Sequence, residues 1–411
     1  MRFITTKDIT TWADTIDCHY HLPQLIRKLI VATLDSTNIK KIHFPYGEDA
    51  QTGGYDGELI TECGNMFAPE GESVWEFGTT AAKKKQKADD DYNKRKLNTL
   101  GKNPSKNTYI AINGYKYRDK EEWCNTKKAE GFWEDVRYLD AIDIDQWLEL
   151  APTVELWLAE RLGKPTLGIY SASVYWKRWS QSKSLIIPYE LLLGESRQIA
   201  ANGVEEFINN NEGILYIRSV TTDDALAFSL AALYKHDNYV WENVVVIDNR
   251  EAFQRFIQLS KKMTIVVKFT IEGSDKKEAL ERGHKLLIPI SLSVEPSGNK
   301  IQLPIISRDT FENALLSMGI DREQARSLTK NSGRSIAVLK RLLQFEDSVI
   351  PQYLDSKNNK NIVALLLINK FTEGRHGDRE IIERLTGESY AEFSKWLRVL
   401  ATTEDSPVYY L

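Results

Sequence analysis

Apolar residues recur at helical spacing over 22–30, where Leu22, Leu25, Ile26, Leu29 and Ile30 fall on one stripe, which predicts an amphipathic helix continuing into Val31. The pattern then shortens to strand-like runs at 41–44, 57–61 and 73–79, with turn residues at Gly64-Asn65 and around Pro69 and Gly71. A lysine-rich helix is predicted over 81–97, a strand over 109–112, and tryptophan-bearing helices over 120–130 and 144–162. A linker at 163–168 leads into a regular alternation: strand 214–218, helix 223–234, strand 244–248, helix 251–260, strand 264–268, helix 276–283 and strand 286–290. Such alternation predicts a mostly parallel sheet covered on both faces. Helices follow at 308–318, 322–330 and 334–343. The stretch 361–411 reads helix, turn, helix (378–385), Thr386-Gly387, helix (390–401) and a strand-like end, a winged-helix-like order.

Composition narrows the class. At 411 residues the chain is too long for one ordinary domain, and 42% hydrophobic with 27% charged residues is globular usage. A net charge of −4 excludes a general polyanion binder, so any nucleic-acid contact must come from a local basic patch. Three cysteines without regular spacing (Cys18, Cys63, Cys124) give no disulfide framework and fit a reducing compartment. The first 17 residues lack the apolar core of a signal peptide, and the longest apolar run, 362–368, is too short to span a bilayer. No membrane association and a cytoplasmic location are therefore expected. The ten tryptophans are in excess and are expected mostly in cores. The chain stops inside the apolar run 407–411, which suggests a fragment of something longer.

The sharpest candidate chemistry lies in Gly-Gly-Tyr-Asp-Gly at 53–57 and Ser-Val-Trp-Glu-Phe-Gly at 73–78. If the two strands pair about a turn near 64–67, Asp56 and Glu76 stand opposite each other, their numbers being symmetric about Met66. Two carboxylates facing across an antiparallel pair can share a divalent cation, and hard oxygen ligands suit Mg2+ or Mn2+. Such a metal polarises a scissile phosphate and activates water. The alternative is a turn in which Asp56 merely caps backbone amides. Glu76 is harder to treat as structural, because it lies between Trp75 and Phe77 and a buried lone carboxylate is costly. On the lysine-rich helix, Lys87, Asp91 and Arg95 share one face at i, i+4, i+8. With Lys83, Lys84 and Lys85 that helix is either a phosphate-tracking patch or a solvated face laced with i,i+4 pairs.

These features resemble the PD-(D/E)XK nuclease superfamily of restriction-endonuclease-like fold, in which an Asp opens one strand and (Asp/Glu)-X-Lys sits on the next. By that resemblance Asp56 matches the Asp and Glu76 the acid of the second half-motif. The lysine is displaced, since position 78 is Gly, and Lys87 is expected to stand in for it, orienting or helping to deprotonate the attacking water. Arg95 would neutralise a phosphate. The order of short motifs across most of 20–160 is similar to the N-terminal Mrr-like nuclease domains of bacterial STAND NTPases of antiviral defence, the AVAST kind. They are the 22–30 helix, Gly-Tyr-Asp-Gly at 54–57, Pro-Glu-Gly-Glu-Ser-Val-Trp-Glu at 69–76, Lys-Ala-Asp-Asp-Asp-Tyr at 87–92, Trp-Glu-Asp-Val-Arg at 133–137, Leu139-Asp140 and Trp147-Leu148.

The expected fold class is accordingly α/β. A nuclease-like domain (1–163) precedes a STAND/AAA+-like parallel α/β module with a helical lid (182–345) and a winged-helix-like segment (361–411). The module lacks a phosphate-binding loop. After the strand at 214–218 the sequence reads Arg-Ser-Val-Thr-Thr-Asp-Asp-Ala, with no Gly-Lys-Ser/Thr and two acids where anions should bind. Thr221 or Thr222 is expected to cap the next helix. Asp248 is a weak Walker-B substitute, and Arg334 is either an anion reader in the lid or a surface residue beside a Gly333 cap. His284 is expected to complement a helix dipole. Cys18, His19 and His21 lack the spaced second pair of a zinc site. The helix at 390–401 offers only Lys395 and Arg398 as cations, so packing is expected over DNA reading.

The resemblance implies an Mg2+-dependent endodeoxyribonuclease acting on double-stranded DNA in antiphage defence. It implies homo-oligomerisation through the STAND-like module, with a phage protein as a possible activator. The competing expectation is a catalytically inactive nuclease-fold scaffold or sensor binding a phage protein. A nucleotide-binding switch is a third.

Overall fold

The computed structural model describes residues 2–47, 53–78, 84–182, 184–210, 213–236, 238–259, 261–345, 359–368 and 375–402. The chain is α/β with mixed sheets. It divides into two compact units, Met1–Tyr175 with Leu233–Leu286, and Trp176–Ala232 with Leu287–Leu411. Both units are discontinuous in sequence, whereas the expected domains ran in unbroken spans.

The first unit opens with α1 (Thr6–Ala13) and α2 (Ile16–Thr33). Helix α1 is closed by a capping box of Thr5 and Asp8 and is too short for its periodicity to stand out in sequence. On α2, Leu22, Leu25, Ile26, Leu29 and Ile30 are all fully buried, as their spacing predicts. The chain continues through β1 (Ile39–His43), β2 (Gly57–Thr61), β3 (Gly71–Gly78), α3 (Lys84–Leu97), β4 (Asn107–Asn113), α4 (Lys120–Ala129), β5 (Asp135–Leu139), α5 (Ala141–Glu149) and α6 (Pro152–Arg161). The strands form one sheet in the order β1-β2-β3-β4-β5. Strands β1, β2 and β3 pair antiparallel, and β3, β4 and β5 pair parallel.

The β2–β3 register runs from Gly57 opposite Trp75 to Thr61 opposite Gly71, so the hairpin is symmetric about Met66 as the sequence predicts. The connection is held by Asn65, whose side-chain oxygen accepts from the Phe67 and Ala68 amides at 2.9 and 2.8 Å. Gly64 is required there, because a Cβ would lie 2.4 Å from the Glu70 nitrogen.

Two aromatic-rich cores cover the two faces of this sheet. One gathers α1, α2, α5 and α6 against Leu59, Trp75, Ile110 and Ile112. The other gathers Ala88 and Tyr92 of α3 and Trp123 of α4 against Val74, Tyr109, Ala111, Val136 and Tyr138. Strand alternation therefore places Glu76, two residues from Val74, on the α3 side. Two features of this unit were not expected. Strand β5 escapes notice because its outward positions, Asp135 and Arg137, are a charged pair 3.1 Å apart and only Val136, Tyr138 and Leu139 are apolar. The helix expected over 144–162 is two helices, because Pro152 cannot donate to the turn before it and starts α6 instead.

The remaining strands are β6 (Ile169–Ser171), β7 (Ile214–Ser219), β8 (Val244–Ile247), β9 (Thr264–Val267), β10 (Lys285–Ser291) and β11 (Lys300–Gln302). Within the first unit β8 pairs antiparallel with β6 and parallel with β9. Lys28 forms an ion pair with Glu242, and the Lys261 ammonium donates to the Ala32 and Leu150 carbonyls at 2.8 and 3.0 Å, closing the C-terminal ends of α2 and α5. Burial pushes the Lys261 ammonium down to about 8.

In the second unit β7 lies between β11, to which it is parallel, and β10. Three helices follow, Arg308–Ser317, Arg322–Asn331 and Ile336–Leu342, close to the bounds expected for three helices there. The helices Asn359–Ile368, His376–Thr386 and Tyr390–Thr402 meet around Ala364, Ile382 and Phe393. The strand expected at 407–411 lies outside the described residues. Among the described residues no helix is long and apolar enough to cross a membrane.

His284 corrects an expectation. It is buried rather than a cation at a helix end: the Met263 amide donates to its Nδ1 at 3.2 Å and its Nε2 lies 3.1 Å from the Ile257 carbonyl. A ring that accepts on Nδ1 and donates from Nε2 is neutral. Burial, and then the Arg282 charge, hold its pKa below the ordinary 6.5. The unfolded chain therefore takes up a proton that the folded chain refuses, so this contribution is complete above pH 6.5 and is lost as pH falls toward the lowered folded value. Urea midpoints measured from pH 7.5 down to about 5.5 should fall more steeply for the wild type than for His284→Gln, which does not titrate. Parallel curves would refute the assignment.

Candidate active site

The hairpin register carries Asp56, the residue before β2, to the place opposite Glu76. Gly57 beside it is fixed by packing, since a Cβ would sit 2.3 Å from the Phe44 ring. One Asp56 oxygen accepts from the Phe77 amide at 2.8 Å, so the carboxylate is tied to the strand that bears Glu76. The amide that Asp56 accepts from belongs to the neighbouring strand, 21 residues away, and not to a local turn.

Glu76 is only 5% exposed. The buried residues of α3 are Ala88, Asp91, Tyr92 and Arg95, so the lysine-rich helix turns two charged side chains inward. Arg95 donates through Nε to Glu76 and through Nη2 to the Gly54 carbonyl, and its guanidinium stacks 4.5 Å from the Tyr55 ring centre. Burial, followed by the negative charge of Asp56, pushes the Glu76 carboxyl up to about 7 against the pull of Arg95. Burial likewise raises Asp56; the Phe77 amide opposes that shift and Asp91 adds to it.

A small cleft, with room for about one water, opens beside Glu76, lined among others by Glu76, Gly78, Lys87, Asp91, Tyr109 and Asn113. Lys87 reaches Asp91 at 2.7 Å and its side chain is 44% exposed. Position 78 itself is crowded by Asn113, its partner in register on β4, whose side-chain nitrogen would lie 3.0 Å from an added Cβ. Among the described residues, no three His, Cys, Asp or Glu side chains form a ready-made metal cage.

The structure brings Asp56, Glu76, Lys87, Asp91 and Arg95 together. Arg95 differs from its expected part: it is 4% exposed and engaged with Glu76, not open to a phosphate. The helical spacing put it on the right face but could not say that this face points into the sheet. Of the remaining lysines, Lys84 donates to the Lys116 carbonyl at 2.7 Å and lies over the Tyr115 ring, Lys85 is exposed, and Lys83 lies outside the described residues. Tyr55, Tyr109 and Asn113 went unrecognised in the sequence. The alternation of 109–113 places Tyr109 and Asn113 on one face, but only the β3–β4 register shows that it is the face of Glu76.

The strand end where a nucleotide-binding module would hold phosphate is filled by the protein itself. Thr221 caps the helix that follows β7, accepting from the Asp224 amide at 3.0 Å. Arg197 grips Asp224 with two bonds of 3.0 and 2.7 Å, Ser219 donates to the same carboxylate, and Trp179 donates to Asp223 at 2.9 Å. Asp248 accepts from the Tyr170 hydroxyl at 3.2 Å. Arg334, with a left-handed φ of 65°, donates to the Ile306 carbonyl at 3.1 Å. Cys18 is buried and free, and His21 lies against Asp17 and Arg161. Lys395 on the last helix pairs with Glu392 at 2.8 Å.

No protein-family model matches the chain, and no curated protein does.

The Arg95–Glu76 pair has both side chains at 6% exposure or less, so removing one partner leaves the other charge buried. Arg95→Met should lower the unfolding free energy by about 3–5 kcal/mol in chemical denaturation. Glu76→Gln, which keeps an acceptor for Arg95, should cost clearly less. Equal, small losses in both would show that the pair is solvated in solution.

Proposed function

We propose that residues 1–163 form a metal-dependent DNA endonuclease domain of the PD-(D/E)XK kind. The observation that carries this reading is the placing of half-buried Asp56 opposite buried Glu76, both above their ordinary pKa, beside a cleft that Lys87 and Asp91 line. Burial raises the proton affinity of both carboxylates, and Asp56 adds to that of Glu76; such a hard-oxygen pair would suit Mg2+ or Mn2+. Bound there, such an ion would polarise a phosphodiester and lower the pKa of a coordinated water. Asp56 and Glu76 would hold it. The Phe77 amide keeps Asp56 in place and Arg95 keeps Glu76 in place. Lys87, anchored by Asp91 at the mouth of the cleft, would orient the attacking water in place of the lysine missing at position 78. Double-stranded DNA would approach the mouth of the cleft, where Lys87 stands.

The rest of the chain is read as a STAND-like regulatory and oligomerisation module that does not hydrolyse nucleotide. The closed Arg197–Asp224 arrangement supports that reading. A cytoplasmic antiphage role, with a phage protein as trigger, belongs to the same proposal. A second reading is an inactive nuclease fold that serves as a scaffold or sensor. It is favoured by one observation: the Arg95 guanidinium already occupies Glu76.

Plasmid cleavage with Mg2+ or Mn2+ over a range of protein concentrations separates the two. Metal-dependent nicking is expected, abolished in Asp56→Asn and Glu76→Gln and reduced roughly 100-fold in Lys87→Ala, the scale of a lost proton-transfer group. Calorimetry should show Mn2+ binding to the wild type and none to Asp56→Asn. A protein that neither binds Mn2+ nor cuts at any concentration would establish the inactive reading.

A further inference from the structure

Tyr109 stands on β4 with its ring wholly buried, edge-on to Tyr92 at 5.3 Å and tilted against Trp133 at 5.6 Å. This packing fixes the ring and so fixes where the hydroxyl points. That hydroxyl is a buried polar atom without a protein hydrogen-bond partner. It does not face an apolar wall. Tyr109 lines the same cleft as Glu76, Asp91 and Lys87, and the charges acting on its hydroxyl are, after burial itself, those of Glu76, Asp91, Arg95 and Asp56. A buried hydroxyl among carboxylates is normally satisfied, by protein or by ordered water. The cleft has polar partners on several sides and room for about one water.

We propose that Tyr109 is a water-positioning residue: its hydroxyl holds a single ordered water against the Asp91 and Glu76 carboxylates. The role of that water rests on the nuclease reading, under which it is the nucleophile. Tyr109 and Asp91 take up two of its hydrogen-bonding directions and leave a lone pair toward the phosphate. As the new P–O bond forms, the bond from phosphorus to the leaving sugar oxygen breaks. The water's proton passes to Asp91, which Lys87 pairs at 2.7 Å, and the leaving oxygen takes a proton from solvent.

Tyr109→Phe removes the hydroxyl and keeps the ring. A crystal structure of the metal-free wild type that resolves waters should show one within hydrogen-bond reach, about 2.7–3.2 Å, of both the Tyr109 hydroxyl and a carboxylate oxygen of Asp91 or Glu76. The same water should be missing or displaced in Tyr109→Phe. In cleavage assays the variant should lose roughly 10- to 100-fold in kcat with KM and the Mn2+ dissociation constant unchanged, a split that a packing role would not produce. The proposal is overturned if the hydroxyl has no water or bonds directly to a protein group. It is equally overturned if Tyr109→Phe melts higher and cuts at the wild-type rate, as removal of an unpartnered hydroxyl would predict. Should the wild type bind Mn2+ but cut no DNA, the nuclease reading falls, and the crystallographic water alone then decides the role of Tyr109.

Discussion

A carboxylate set between Trp75 and Phe77 on an interior strand has to be met by a cation, and in this protein Arg95 meets it. Much of the surrounding architecture serves that contact. Helix α3 must lie with Ala88, Asp91, Tyr92 and Arg95 toward the sheet, although its composition is that of a solvent-facing helix. The segment before β2 must bring up the Gly54 carbonyl and the Tyr55 ring to complete the guanidinium's surroundings. Arginine suits this position better than lysine would, because a planar group can stack on one ring while donating along two edges. Desolvating two charges is costly, and proteins that keep such pairs commonly do so for placement rather than for stability. Here the thing placed is Glu76, and with it the geometry opposite Asp56.

Local pattern made much of this readable before any coordinates. The period-two runs at 57–61 and 73–79 are short, but the turn residues between them fix a symmetric hairpin, and the symmetry alone places Asp56 against Glu76. The strand–helix alternation beyond residue 213 is recovered with boundaries off by a few residues. What stayed hidden shares one cause: it depends on contacts between segments distant in sequence. Strand β5 alternates charge with apolar residues and looks like a surface loop until β4 is beside it. Arg95 looks like a phosphate contact until the helix is rolled onto the sheet. Tyr109 looks like any strand tyrosine until the parallel β3–β4 register sets it next to Glu76; a parallel pair joined by a crossover carries no turn from which register could be read.

The strand end after β7 repeats the same physical solution with a different result. Asp224 is buried in the first turn of a helix, where amides favour an anion, and Arg197 supplies the counter-charge. In a phosphate-binding module that place is held for a ligand, whereas here a side chain of the protein fills it. The two guanidinium–carboxylate pairs differ in their surroundings. The one at Glu76 borders a cleft with further acids and an exposed lysine. The one at Asp224 is bonded on all sides by Ser219, the Pro304 carbonyl acting on Arg197, and the helix cap.

The discontinuity of the first unit bears on how the chain is made. Lys28 waits for Glu242, 214 residues later, and the carbonyl of Ala32 waits 229 residues for Lys261. During vectorial synthesis the hairpin with Asp56 and Glu76 would leave the ribosome long before the segment that closes the ends of α2 and α5. Contacts so far apart must be formed against a large loop-closure entropy, and they favour slow, late completion of the fold. The delay would keep the unit unfinished until a large part of the polypeptide has been translated.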